Sequence, residues 1–270
     1  MASPLPEVRN LHFALEAVPV HWHAGGRALS RLFDNMSIFF PAGERFFVSS
    51  VHAYKDRITD PALAERVRRF AGQEGMHARE HDRYNAHLAA QGLPIEELEG
   101  RVKKLLAGAQ QRLPRRLQLA ATCALEHFTA LMAREVLGDP RVLADAHPTM
   151  RELWTWHAIE EAEHKTIPFD VFRAIGGTER ERARAMLVAT VLFWAHVARH
   201  QVTIMRADGM LYDAREWAKL FWFIFVSPGT LRRTWGNWAG YFRRSFHPDD
   251  VDDAAAIDAW RRAHASEAAA

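Results

Sequence analysis

The chain has 270 residues, 49% hydrophobic and 25% charged, which excludes a largely disordered polymer and leaves ample length for a core. Lys and Arg total 35 against 33 Asp and Glu, a formal charge of +2, so no basic excess points to nucleic acid. One cysteine, Cys123, excludes a disulfide framework and a cysteine-rich zinc site and suits a reducing cytoplasm, while 15 histidines invite a search for metal ligands.

Residues 1–27 contain several prolines and a Gly25-Gly26 pair and read as an irregular lead-in. No basic start followed by an apolar core predicts a secretory signal. Pro41 is placed to open a first helix reaching about Asp56. Asp60-Pro61 supplies an N-cap and a first-turn proline for a second helix, which Gly92-Leu93-Pro94 closes. A shorter segment over 95–110 precedes Pro114, where a helix begins that stops at Gly138-Asp139-Pro140. Pro148 starts another, predicted to run past Pro168 to Gly176-Gly177. Thr178 with Glu181 forms a capping box for a long helix to about Arg206. Two short helices follow over 213–226 and 230–244, and the tail after His247-Pro248 is predicted to fray. The apolar runs at 186–197 and 220–226 fall short of the ~18–20 residues of a membrane span. They are predicted to be buried, with contact to a membrane surface as the alternative. The tryptophans at 154, 156, 194, 222, 235 and 238 are likewise assigned to the core.

The predicted class is therefore all-α. Residues 28–177 form a four-helix bundle, 178–250 a helical extension packed on it, and 251–270 an acidic, alanine-rich tail, together one domain. Polar residues stand on these helices where a core belongs. Val67, Phe70, Glu74, His77, His81, Tyr84 and Leu88 follow one another at spacings of three and four, a single inward stripe with a Glu-His-His middle. Burying that carboxylate without a partner costs several kcal/mol, at roughly the scale of an unpaired polar group or more. Met150, Leu153, His157, Glu161 and His164 repeat the pattern. Glu44 shares a face with Phe40, Phe47 and Val51. Glu126 shares one with Leu119, Thr122, Thr129 and Ala133.

The order Glu44, then Glu74 with His77, then Glu126, then Glu161 with His164 resembles the ligand set of ferritin-like di-iron and di-manganese carboxylate proteins. Carboxylate and imidazole donors suit iron or manganese better than thiolate-seeking metals. His157, one turn before Glu161, is a candidate seventh ligand. His81 is either a ligand or a hydrogen-bonding partner of one, and Asp170 is a candidate to orient a ligand histidine. Arg69, Glu80, Glu160 and Glu163 are expected at the surface. His127 is expected to point away from the site, Cys123 to be buried filler, and His21, His23, His196 and His200 to lack matching carboxylates.

The segments FFPAGERFF, QEGMHAREH, ALEHFTA, WHAIEEAEHK with the following PFDVF, and SFHPDD resemble a bacterial ferritin-like family labelled "predicted metal-dependent hydrolase". The likeness spans about residues 8–250. The spacing of His157, Glu161 and His164 is also similar to that of the p-aminobenzoate N-oxygenase group of di-iron enzymes. Together these resemblances imply Glu44, Glu74, His77, Glu126, His157, Glu161 and His164 as metal ligands, holding two Fe ions, or Mn, or one of each. The leading expectation is a di-iron oxidoreductase that activates O2 against an apolar or aromatic small molecule and draws on an electron donor. A di-metal hydrolase is the alternative, and a ferritin-type storage protein a further one. Expected surroundings are the cytoplasm, with a homodimer as one assembly.

Overall fold

The structure, a computed structural model, describes residues 5–265. Among them are ten α-helices and no β-strand. The first, α1, spans Arg27–His52; α2 spans Pro61–Ala90, α3 Ile95–Arg112, α4 Arg115–Gly138 and α5 Pro148–His164. They are followed by α6 at Ile167–Ala174, α7 at Glu179–Ala207, α8 at Ala214–Phe225, α9 at Thr230–Gly240 and α10 at Ala254–Ala265. Helices α1, α2, α4 and α5 pack on one another as a bundle. Helix α3 lies on α1, α7 spans α1 and α4, and α8 and α9 extend that outer layer.

Two large apolar clusters form most of the core, with a small third one under α10. One gathers Phe33, Phe40, Tyr84, Trp154 and Trp156, and the other Phe46, Phe70, Leu119, Phe172 and Tyr241. Along α1 and α2 the two clusters are separated by a polar stretch. Glu44 falls between Phe40 and Phe47, and Glu74 to His81 fall between Phe70 and Tyr84. This polar layer is the interior that the helical stripes predict.

Four expectations need correction. Helix α1 starts at Arg27, not Pro41, and carries the proline within it. Leu29, Phe33, Met36 and Phe40 form its buried face, and Pro41 cannot donate to the Ser37 carbonyl. That carbonyl accepts instead from Asn85 Nδ2 at 3.4 Å. The start is capped from a distance, where Glu216 Oε2 on α8 accepts from the Ala28 N–H at 2.9 Å. Helix α5 stops at His164 and the chain restarts as α6 with Pro168 in its first turn. The part of the tail within the described residues is ordered. Helix α10 buries Ile257 against Ile159 and Ala162, and Lys165 pairs with Asp253 at 2.6 Å. Residues 266–270 of the tail and residues 1–4 lie outside the described part.

The fourth correction concerns the outer layer. Leu187, Val188, Val191 and Leu192 on α7 and Phe221 and Phe225 on α8 are exposed, as are Trp222 at 58% and Trp235 at 66%. Trp154 and Trp156 are buried as expected. Among the described residues no helix is long and apolar enough to cross a membrane.

Candidate metal centre

Seven side chains from four helices meet in the polar layer. Glu44 comes from α1, Glu74 and His77 from α2, Glu126 from α4, and His157, Glu161 and His164 from α5, and all are buried. Their donor atoms fall into two groups. In one, atoms of Glu44, His77 and His157 lie within 4.8 Å of one another; in the other, atoms of Glu74, Glu161 and His164 do so. The groups adjoin, since His77 Nδ1 is 3.6 Å from Glu74 Oε2 and 3.8 Å from Glu161 Oε1. Glu126 Oε2 stands 3.5 Å from His164 Nε2.

Helical periodicity explains the convergence. Residues three or four apart share a face, so His157, Glu161 and His164 point one way from α5, and Glu74 and His77 do so from α2. Small or branched neighbours on α4, Thr122 and Thr129, leave room around Glu126.

Most donor atoms that face inward have no hydrogen-bond partner. Both oxygens of Glu44, Glu74 and Glu126 are in this state, with Glu161 Oε2, His77 Nδ1, His157 Nε2 and His164 Nε2. A cluster of buried, unpaired acceptors is costly unless something cationic joins them. The donor set fits a pair of divalent cations.

The outward nitrogens of His157 and His164 are hydrogen-bonded, and that of His77 stands close to a carboxylate oxygen without a hydrogen bond. His157 Nδ1 is 3.0 Å from His81 Nε2, and His81 Nδ1 is 2.9 Å from Ser37 Oγ. The Ser37 hydroxyl donates to Asn85 Oδ1 at 2.8 Å, which assigns the tautomers along the chain. Ser37 accepts from His81, His81 accepts from His157, and the His157 Nε2 lone pair is left facing Glu161 Oε1 at 3.3 Å. A lone pair against a carboxylate repels unless a cation lies between them. His164 Nδ1 donates to Gln73 Oε1 at 3.0 Å, and His77 Nε2 faces Glu160 Oε2 at 3.1 Å. Such outer partners hold ligand rings in register and set which nitrogen is free.

Protons take the place of cations when the centre is empty of metal. Burial first, and then Glu74 and Glu161, push Glu44 well above the usual carboxylate range. Glu126 is raised by the same causes, and burial lifts Glu74 to about 8. Glu161 goes the other way. Burial would raise it, but His164 and His157 hold it well below its ordinary value. Burial would lower His164, but Glu161 and Glu74 beside it push it up to about 9. Burial lowers His77.

Several sequence expectations are altered here. Glu80, Glu160 and Glu163 are buried rather than superficial. The N-terminal segment covers them, with Arg9 reaching Glu163 at 2.8 Å and Glu160 at 3.2 Å, and the Phe13 N–H donating to Glu80 Oε2 at 3.4 Å. Gly72 permits this cover, because a Cβ there would stand 2.7 Å from a Val8 methyl. Arg69 is half-buried beside Glu65. Asp170 orients no histidine of the cluster; it binds His247 at 3.1 Å and Arg66 at 2.8 Å. His81 lies outside both groups of donors and bonds His157 instead. His21 has a carboxylate after all, Asp208 at 2.7 Å. His127 packs on Tyr241 and Phe246, away from the cluster. Burial raises the Cys123 thiol well above its ordinary value, which suits a packed filler. Sequence reasoning missed Ser37, Gln73, Asn85 and Glu160. Nothing in their spacing distinguishes them from ordinary polar residues, and only the packing of α1, α2 and α5 reveals their partners.

With this geometry in place, comparison with known proteins is informative. The profile of the family described as "predicted metal-dependent hydrolase" matches residues 7–252. The chain belongs to that family. The match takes in the whole cluster and the N-terminal cover from Glu7 onward. No curated protein matches the chain, and neither does any solved structure.

Proposed function

We propose that the protein is a hydrolase dependent on two metal ions and acting on an apolar small molecule. The observation that carries this reading is the buried pair of donor groups whose inward atoms lack hydrogen-bond partners. Glu44, His77 and His157 would hold one ion and Glu74, Glu161 and His164 the other, with Glu126 beside His164. When bound, the ions would polarise a carbonyl or phosphoryl oxygen and make water a nucleophile near neutral pH. Water then breaks the acyl–oxygen bond, with hydroxyl going to the carbonyl carbon and a proton to the leaving oxygen. The chain's own residues supply the frame. His81 and Gln73 fix the His157 and His164 rings by hydrogen bonds, and Phe40, Phe70 and Trp156 pack on the three imidazole rings and exclude bulk water. The family description supports hydrolysis over the oxidoreductase reading that leads in the sequence. Oxygen and nitrogen donors fit iron, manganese or zinc.

O2 activation is the second reading. It is favoured by the aromatic wall, which keeps water from a reactive oxygen species, and by the resemblance of the His157-Glu161-His164 spacing to that of the p-aminobenzoate N-oxygenase group. Metal analysis of the purified chain tests both, with two equivalents expected. Hydrolysis of an aliphatic ester that is lost on chelation and returns with metal supports the first reading. O2 consumption by the reduced protein, with no ester cleavage, decides for the second. Glu126→Ala is expected to lower metal content; unchanged stoichiometry removes Glu126 from the ligand set.

A further inference from the structure

A cavity of about 460 Å³ lies between α1, α3, α4 and α7, within the ~300–1,000 Å³ typical of ligand sites. Its walls are almost wholly apolar. Its lining runs from Met36 to Phe47 on α1 and from Glu181 to Phe193 on α7, a length of ~17 Å at the helical rise per residue. A cavity of that length, apolar along its walls and partly open to solvent, suits one extended aliphatic chain. Its charged lining residues, Glu181 and Arg184, both sit at one end, at the start of α7. Exposed Val188 and Leu192 border it as well.

The channel runs alongside the cluster. Phe40 lines it and also packs on the His157 ring, with centroids 4.3 Å apart. Gly43, next to Glu44, thins the wall at that level, and a Cβ there would meet only a Phe47 ring carbon at 3.8 Å. Thr129 lines the opposite side and hydrogen-bonds the Glu126 carbonyl at 3.0 Å. One layer of side chain thus separates the channel from the donor groups.

We infer that this channel receives the unbranched aliphatic chain of the substrate, a fatty-acyl compound, and carries its carbonyl to the level of Glu44 and Glu126. The inference rests on the hydrolase reading and narrows its substrate class. The test is calorimetric titration of the full chain with saturated fatty acids from octanoate to palmitate, below micelle formation. Affinity is expected to rise about fourfold per methylene until the channel is full. Gly43→Leu, and from the facing wall Ala109→Phe, are expected to weaken palmitate binding at least about tenfold, the loss of two or so buried methylenes, at unchanged metal content. Binding that ignores chain length overturns the inference, as does cholate competing as well as palmitate. A dimer in sedimentation with no fatty-acid uptake overturns it in favour of a second copy of the chain on this face. Since binding is read without turnover, its failure leaves the hydrolase reading standing. Chain-length-dependent binding without ester cleavage counts against hydrolysis alone.

Discussion

His157 and His164 are each oriented by what holds the far nitrogen of the ring. The run from Asn85 through Ser37 and His81 to His157 leaves one lone pair aimed inward. Removing an outer partner of this kind weakens metal binding roughly 10- to 100-fold. His81→Leu is therefore expected to lower metal affinity by that factor in a competition titration, and His81→Gln, whose amide oxygen can accept from His157, to recover part of it. Wild-type affinity in His81→Leu would mean that packing alone orients His157. The sequence reading of His81 left ligation and partnership open, because a ring on the inward stripe satisfies either; in the structure its Nε2 lies 3.0 Å from His157 Nδ1.

Among the elements, α1 departs furthest from its local signals. Its first turn has a glycine at the N-cap with no side-chain cap of its own, so nothing within the segment announces a start. Glu216 on α8 supplies the missing acceptor. Losing an N-cap acceptor costs ~1 kcal/mol, so Glu216→Ala is expected to destabilise the protein by about that amount in thermal or denaturant unfolding, with Glu216→Gln milder. A neutral Glu216→Ala would show that solvent satisfies the Ala28 N–H equally well. By contrast α7 begins where its sequence says. The capping box of Thr178 and Glu181 is local, and both of its hydrogen bonds form.

For the whole molecule, the polar layer ties stability to pH and metal together. Without metal, Glu74 titrates near 8 against an ordinary 4.5, and His164 near 9 against 6.5. Above about 6.5 the folded chain binds protons that the unfolded chain has released, whereas below it the lowered His77 works the other way, so stability falls as pH rises from about 7 to about 9. Metal requires deprotonated donors, and its binding strengthens over the same range. The melting temperature in chelator is accordingly expected to fall with pH, and with added metal to fall less or to rise. A metal-free chain that grows more stable towards pH 9 would contradict the proton placement.

Sequence alone determined the features that are periodic. The all-α class, the inward stripes of α2 and α5, and the convergence of Glu44, Glu74, Glu126 and Glu161 with the histidines are legible because a helix repeats its face every three or four residues. Tertiary structure decided whatever depends on residues far apart in the chain. The burial of Glu160 and Glu163 comes from an N-terminal segment about 150 positions away, the start of α1 from a glutamate on α8, and the partners of the histidine rings from α1 and α2. The exposure of Trp222 and Trp235 belongs here too, since an apolar side chain has the same local pattern whether another helix covers it or solvent does.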